Sequence, residues 1–88
     1  MDTIIYPKLI KVKALPDYFL DLEYDNNERR IYDFKPNIKH SFYKDLQNLT
    51  LFGNVFINDG ALEWVTGQDF CPHTLYEKSI LHANKQPR

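Results

Sequence analysis

The dipeptide Asp59-Gly60, placed between two short apolar runs, constrains the fold of this chain more than any other feature. Aspartate and glycine supply the two positive φ angles that a two-residue type I′ turn requires, so a β-hairpin is predicted here. The predicted pairs are Asn58 with Ala61, Ile57 with Leu62, Phe56 with Glu63 and Val55 with Trp64. Because side chains alternate along a strand, Val55, Ile57, Leu62 and Trp64 share one face. That face is predicted to lie in the core, since a slip of one residue would turn it toward water.

A strand with lysines on one face is predicted from Lys8 to Leu15. Lys11 and Lys13 alternate with apolar residues, which is the pattern of a half-buried strand. The face predicted to point inward holds Ile10, Val12 and Ala14. Pro7 and Pro16 flank the segment and indicate the edge of a sheet, where lysines prevent unwanted pairing. The same edge is a candidate site for a partner strand, with Lys11 and Lys13 selecting an acidic segment.

A second hairpin is predicted after this strand. Apolar residues alternate from Tyr18 to Tyr24, which predicts one strand with Tyr18, Leu20, Leu22 and Tyr24 inward. Asparagine tolerates left-handed backbone geometry, so a turn is predicted at 25–28 with Asn26-Asn27 at its centre. The pairs predicted from this turn are Leu22 with Ile31, Glu23 with Arg30 and Phe19 with Phe34.

A short helix is predicted between the third and fourth strands. Ser41 is a suitable N-cap, and apolar residues follow it at helical spacing. These residues are Phe42, Leu46 and Leu49. The helix is predicted to end by Asn48, and Thr50–Gly53 is predicted to lead back into the sheet.

After the Asp59-Gly60 hairpin, a loop is predicted at 66–69, followed by a helical turn that begins at Pro72 and carries Leu75 and Tyr76. The predicted fold class is therefore α+β. It consists of an antiparallel sheet of about five strands built from hairpins, the short helix between the third and fourth strands, and the helical turn after the last strand.

Length and charge exclude several classes of protein. A chain of 88 residues predicts one domain over 1–88, with a core at about 8–80 and a frayed tail at 83–88. Eleven basic and twelve acidic residues leave a net charge of -1, which disfavours direct binding to nucleic acid. No apolar run is long enough to span a membrane. A single cysteine and the lack of a signal peptide favour the cytoplasm, and the oligomeric state is left open.

The residues that most resemble a chemical site are Asp69, Cys71 and His73. Proximity along the chain does not supply the base and the orienting group that a nucleophile requires. The spacing also lacks the paired ligands of a zinc site. We therefore expect no catalytic residues, no metal site and no cofactor, and a protein that is not an enzyme.

Aromatic residues are more numerous than one small core needs, with six tyrosines, six phenylalanines and Trp64. Tyrosine contributes a large rigid surface to interfaces at low entropic cost. Tyr24, Tyr32, Tyr43 and Phe70 are therefore candidates for a contact surface. The alternative is that these side chains are ordinary core and rim residues of the sheet.

The order and spacing of many residues resemble the family called domain of unknown function 2442. The similar positions are Leu20-x-Leu22-x-Tyr24, Glu28, Tyr32-Asp33, Phe42-x-x-x-Leu46, Phe52, Val55, Leu62-x-Trp64, Gly67-x-Asp69-Phe70, Pro72 and Leu75-Tyr76. Two positions depart from the family, which usually has glycine in place of Asn27 and proline in place of Val65. The resemblance implies a small bacterial α+β domain with an antiparallel sheet and a short helix between hairpins. It also implies that some members are encoded beside a second small protein, as in toxin and antitoxin pairs.

These observations predict a small, cytoplasmic, non-enzymatic protein-interaction module. One form of this prediction is that the module is the antitoxin-like partner of a second small protein in a bacterial pair. The candidate partner-binding residues are Lys11, Lys13, Tyr43 and Phe70. The alternative is a small-ligand-binding domain with a pocket near Trp64. The candidate pocket residues are Trp64, Asp69, His73 and Tyr76. A third class, DNA binding, would require a basic face that the net charge does not provide.

Overall fold

Seven strands in two antiparallel sheets and three short helices form an α+β fold in the computed structural model, which describes residues 6–82. The larger sheet has the order β1-β2-β3-β7 and the smaller one the order β4-β5-β6. The strands are β1 (Leu9–Leu15), β2 (Phe19–Tyr24), β3 (Arg29–Asp33), β4 (Phe56–Asn58), β5 (Ala61–Glu63), β6 (Asp69–Phe70) and β7 (Ile80–Leu81). The helices are α1 (Lys35–Ile38), α2 (Leu49–Gly53) and α3 (Pro72–Lys78), with 3₁₀ segments at Pro16–Tyr18 and Ser41–Gln47.

This arrangement corrects the expectation of one sheet with about five strands. The two strands that sequence patterns miss, β6 and β7, have two residues each and are too short to show an alternating pattern. The frayed tail predicted at 83–88 lies outside the described residues.

The hairpin at Asp59-Gly60 has the predicted register. Phe56 pairs with Glu63, Ile57 with Leu62 and Asn58 with Ala61. Asp59 and Gly60 have φ angles of 53° and 83°, as a type I′ turn requires. Leu62 and Trp64 are buried, and Val55 and Ile57 pack against the core. The predicted apolar face is therefore confirmed.

The register predicted for the hairpin of β2 and β3 is wrong by one residue. The Tyr24 N–H donates to the Glu28 carbonyl at 2.9 Å, and the Asn27 N–H donates to the Tyr24 carbonyl at 3.0 Å. Asn27 has a φ of 73°. The loop thus contains three residues and ends in a left-handed one, which is the second common form of hairpin connection. Leu22 consequently pairs with Arg30, not with Ile31.

This shift exchanges the faces of two neighbouring side chains on β3. Leu20, Leu22 and Tyr24 are buried as predicted, and the residue opposite Leu22 must share their face. Arg30 therefore points to the core side of the sheet, and Ile31 points to the outer side.

A bulge in β1 corrects the predicted position of Ile10. Leu9 pairs with Tyr24 but Lys11 pairs with Glu23, so Ile10 is the extra residue between them. Leu9 is 2% exposed and Ile10 is 47% exposed, although the alternation placed Ile10 inward. Val12 and Ala14 pack against the core as predicted, because the regular register resumes after the bulge.

The segment from Ser41 to Gly53 also differs from prediction. Ser41–Gln47 is a 3₁₀ segment whose N-cap is His40, and Thr50–Gly53 belongs to α2 and not to the sheet. The Asn48 side chain accepts hydrogen bonds from the backbone N–H groups of Thr50 and Leu51, at 2.9 and 3.2 Å. This N-cap starts a new helix at a position where the sequence analysis ended one.

The turn that follows Trp64 has the same three-residue form as the loop at Asn27. Gly67 has a φ of 99°, and its N–H donates to the Trp64 carbonyl at 2.9 Å. The predicted loop is therefore confirmed for 66–68, but Asp69 belongs to β6 and pairs with Glu63. The helical turn predicted from Pro72 is confirmed as α3, with Leu75 buried.

Trp64 lies at the centre of the core. Its ring is 2% exposed and contacts the rings of Phe34 and Phe52 at centroid distances of 5.3 and 6.1 Å. The indole Nε1–H donates to the Phe52 carbonyl at 3.0 Å. Trp64 therefore joins the smaller sheet to α2 and, through Phe34, to the end of β3.

An ion pair on the core side of β3 connects the larger sheet to α3. The Arg30 guanidinium contacts a Glu28 carboxylate oxygen at 2.9 Å and the Ser79 hydroxyl at 2.7 Å, and it lies 4.3 Å from the centroid of the Tyr76 ring. The Tyr76 hydroxyl donates to the same Glu28 oxygen at 2.9 Å. Burial acts to raise the pKa of Glu28, but the hydrogen bonds from Tyr76 and Arg30 outweigh it and hold that pKa below its ordinary value.

We expect Trp64→Ala to lower the free energy of unfolding by about 3 to 5 kcal/mol, because it removes the largest ring of the core. Trp64→Phe keeps a ring but leaves the Phe52 carbonyl without its donor, so a loss of about 1 to 3 kcal/mol is expected. Chemical denaturation measures both losses. A loss below about 1 kcal/mol for Trp64→Ala would contradict the buried position.

The Glu28 interaction predicts a specific pH dependence of stability. Because the pKa of Glu28 is lowered in the folded state, its contribution is present above the ordinary pKa and is lost as the pH falls through the folded value. We therefore expect Glu28→Gln to destabilise at pH 7 and the difference from the unaltered protein to narrow below about pH 4. Denaturation at several pH values tests this. Glu23→Gln is the control, since Glu23 has no ion pair among residues 6–82, and a pH-independent difference for Glu28→Gln would contradict the assignment.

Candidate interaction site

Lys11 and Lys13 lie on the outer face of the larger sheet, on its edge strand β1. Strand pairing places Lys11 opposite Glu23 and Lys13 opposite Asp21, so the two lysines share a face with these acidic residues. Both lysines are exposed, and neither forms an ion pair within 4 Å in the described part of the chain. Asp21 instead pairs with Arg29, at 2.8 Å. The amino groups of the two lysines are thus available to a partner.

A groove runs between β1 and the neighbouring strand β4. Its volume is about 440 Å³, and its walls include Ile10, Lys11, Lys13 and Phe56. The bulge turns Ile10 outward, and Phe56 is 39% exposed on the side of β4 opposite to the core-packed Ile57. The groove therefore combines two exposed apolar side chains with the two lysines, and its charged lining also includes Asp21, Glu23 and Arg29. We define Ile10, Lys11, Lys13 and Phe56 as the β1 groove.

The outer edge of β1 has no hydrogen-bonded strand partner among residues 6–82, although β4 and α2 lie beside it. Sequence analysis predicted the lysines at a sheet edge, and the strand order places them there. It missed Ile10 and Phe56. The signal for Phe56 was present in the Asp59-Gly60 register, which puts Phe56 on the face opposite to Ile57. No sequence signal identified the bulge that exposes Ile10.

The aromatic contact surface proposed from composition is largely wrong. Tyr24, Tyr32 and Phe70 are buried, with exposures of 2%, 7% and 7%. Burial, partly offset by the charge of Arg30, raises the pKa of Tyr24 to about 12. Tyr43 is half-buried and donates from its hydroxyl to the Asp69 carbonyl at 2.9 Å. Two small sheets that pack around one aromatic core bury more rings than a single sheet would.

The four candidate pocket residues lie in different environments. Trp64 is in the core, and Asp69 is exposed in β6. Tyr76 belongs to the cluster around Arg30 and Glu28. His73 lines a cavity of about 260 Å³, together with Tyr6, Lys8, Tyr24 and Asp59. His73 is therefore the candidate that contacts a cavity, and its ring stacks on Tyr6 at a centroid distance of 4.5 Å.

The group Asp69, Cys71 and His73 offers no metal site. Among residues 6–82, no three side chains of histidine, cysteine, aspartate or glutamate are grouped in a way that would hold a metal ion. Cys71 is exposed, and hydrogen bonds from Thr74 and His73 lower the pKa of its thiol. Cys71 also forms the N-cap of α3, which places its side chain beside the first backbone N–H groups of that helix.

The remaining findings concern membrane-spanning helices and the similarity of this chain to other proteins. Among the described residues, no helix has the length and apolar character needed to cross a membrane. No curated protein and no solved structure shows significant similarity to the chain. A family model described as "Protein of unknown function (DUF2442)" matches residues 9–80. The match covers most of the 88 residues, and the chain therefore belongs to the DUF2442 family.

Proposed function

We propose that this domain is a non-enzymatic protein-interaction module that binds an acidic, extended segment of a second small protein in the β1 groove. The observation that carries the proposal is the combination of exposed Ile10 and Phe56 with two lysines that form no ion pair in the described chain. An extended segment alternates its side chains, so it can direct acidic groups to the lysines and apolar groups to the groove. Tyr43 and Phe70 do not enter this proposal, because neither lines the groove.

The electrostatics of the groove favour this class of partner over nucleic acid. Asp21 and Glu23 line the same groove as Lys11 and Lys13, so a run of phosphates would meet carboxylates as well as amines. A peptide carries charges of chosen sign at chosen positions and can avoid that repulsion. We place the interaction in the bacterial cytoplasm, where the exposed thiol of Cys71 would stay reduced. One form of such an interaction module is the antitoxin-like member of a two-protein pair.

The cavity beside His73 supports a second candidate function, the binding of a small ligand. Its volume of about 260 Å³ exceeds the roughly 150 Å³ that holds benzene in a protein interior. Purification from the native source followed by mass spectrometry separates the two functions. A protein retained at fixed stoichiometry supports the interaction module, and a retained small molecule supports the ligand-binding domain.

We expect the double change Lys11→Glu and Lys13→Glu to weaken binding of the partner protein that co-purifies with the domain. It should also reverse the salt dependence of that binding. Added salt screens an attraction in the unaltered domain, but it relieves a repulsion in the double variant. Phe56→Ala should also weaken binding, because it removes an apolar wall of the groove. Isothermal titration calorimetry at two salt concentrations measures these effects. A synthetic peptide of alternating valine and glutamate is an additional probe. Its binding is detected by NMR, from the chemical shift changes of the backbone amides in β1.

Matched variants control for the change of charge and of apolar area. Lys39→Glu with Lys44→Glu has the same total charge change at two other exposed lysines, and Phe42→Ala removes a phenylalanine that is 55% exposed elsewhere. Both should retain binding. An affinity that is unaffected by the Lys11, Lys13 and Phe56 variants would refute the β1 groove as the contact surface.

A further inference from the structure

The two edges of the larger sheet differ in how they are protected against pairing. β1 carries two exposed lysines and a bulge, and β4 and α2 lie beside it. These features discourage the addition of an identical strand. β7, at the other edge, consists of Ile80 and Leu81, which are 73% and 54% exposed. Among residues 6–82 this edge is protected by its short length alone, and no charged residue, proline or bulge occurs within β7.

Hydrogen bonding shows which backbone groups of β7 point away from the sheet. The His82 N–H donates to the Arg29 carbonyl at 2.7 Å, and Ile80 pairs with Ile31. Consecutive residues of an antiparallel strand direct their N–H and C=O groups to opposite sides. The N–H and C=O of Leu81 therefore point outward from the sheet, toward a strand that the described chain does not supply.

An apolar depression lies next to this edge. A cavity of about 360 Å³ is lined by Ile31, Pro36, Lys78 and Ile80, among others. The outward orientation of Ile31 follows from the three-residue loop of the β2–β3 hairpin, and Ile31 stands opposite Ile80 on the same face. The exposed edge is thus continuous with an apolar surface on the outer side of the sheet.

Charge decides which partner fits each edge. If β1 paired with β1 of a second copy around Val12, Lys11 would face Lys13, and like charges directly opposite each other are destabilising. If β7 paired with β7 of a second copy around Leu81, Leu81 would face Leu81 and Ile80 would face His82. Neither of these pairs brings like charges together, because leucine and isoleucine are uncharged, and the net charge of -1 creates little repulsion between copies.

We propose that β7 is a self-association edge, at which two copies of the chain pair antiparallel about a twofold axis through Leu81. Each Leu81 N–H donates to the Leu81 carbonyl of the other copy, which satisfies both outward groups. The two four-stranded sheets become one sheet of eight strands, and the exposed isoleucines of the two copies come together on its outer face. A paired strand of two residues covers far less than the roughly 1,200 Å² of a stable interface, so the dimer is a weak one.

Sedimentation equilibrium from about 10 μM to about 1 mM tests the proposal, because a weak dimer has a dissociation constant near the upper part of that range. Ile80→Lys introduces like charges at the interface, and Leu81→Pro removes the outward N–H without touching the bonds to β3. We expect each change to weaken dimerisation at least about tenfold. Val65→Lys is the control, since Val65 is 65% exposed in the turn between β5 and β6. Thermal unfolding verifies that each variant is folded.

The unaltered protein provides a readout that needs no variant. Hydrogen exchange of the Leu81 amide should slow as the protein concentration rises, because dimerisation engages that N–H. A monomeric mass over the whole range, with exchange at Leu81 independent of concentration, would overturn the proposal. Self-association that Ile80→Lys and Leu81→Pro leave unchanged, or that Val65→Lys weakens equally, would also overturn it. The Lys11→Glu, Lys13→Glu variant should dimerise normally. A result against dimerisation at β7 is therefore distinguishable from a result against partner binding in the β1 groove.

Discussion

The indole of Trp64 is the group on which the two sheets depend for their common core. It follows β5 directly, donates to the Phe52 carbonyl in α2 at 3.0 Å, and packs against Phe34 at the end of β3. A domain of this size buries a smaller share of its surface than a large one, so each fully buried ring carries a larger part of its stability. With a three-stranded and a four-stranded sheet, each too small to enclose a core, the rings between them fix how the sheets meet.

The number of residues in each turn determines which side chains enter that core. The register at Asp59-Gly60 was predictable, because few residue pairs other than Asp-Gly meet the demand for two positive φ angles. The register of the hairpin at Asn27 was not predictable, since asparagine is compatible with a two-residue loop and with a three-residue loop. The structure adopts the longer loop, and Arg30 faces the core, where it meets Glu28, Tyr76 and Ser79. An interaction between β3 and α3 thus depends on one turn residue.

The candidate site was predictable only where local patterns determine the outcome. Alternation and the flanking prolines identified the lysine strand and its place at an edge. The bulge at Ile10 was not predictable, because it depends on how Leu9 and Tyr24 meet across the sheet and leaves the sequence pattern unchanged. The start of α2 was missed for a related reason: Asn48 is suitable both as the end of one helix and as the cap of the next. The prediction of an aromatic contact surface was wrong because composition alone does not reveal which rings are buried in the core.

The same sheet presents two edges with opposite chemistry, and this difference separates the two proposed contacts. In the proposed contact at β1, the lysines that disfavour an identical strand would also attract an acidic one, so the same residues would protect against self-pairing and select a foreign partner. At β7, uncharged residues permit pairing between copies. A head-to-tail contact between β1 and β7 would propagate into an open filament, whereas a twofold contact at β7 closes after two copies. The bulge of β1 disfavours a regular contact with β7 of another copy and its lysines disfavour a contact with a second β1, so the proposed self-association through β7 would stay finite.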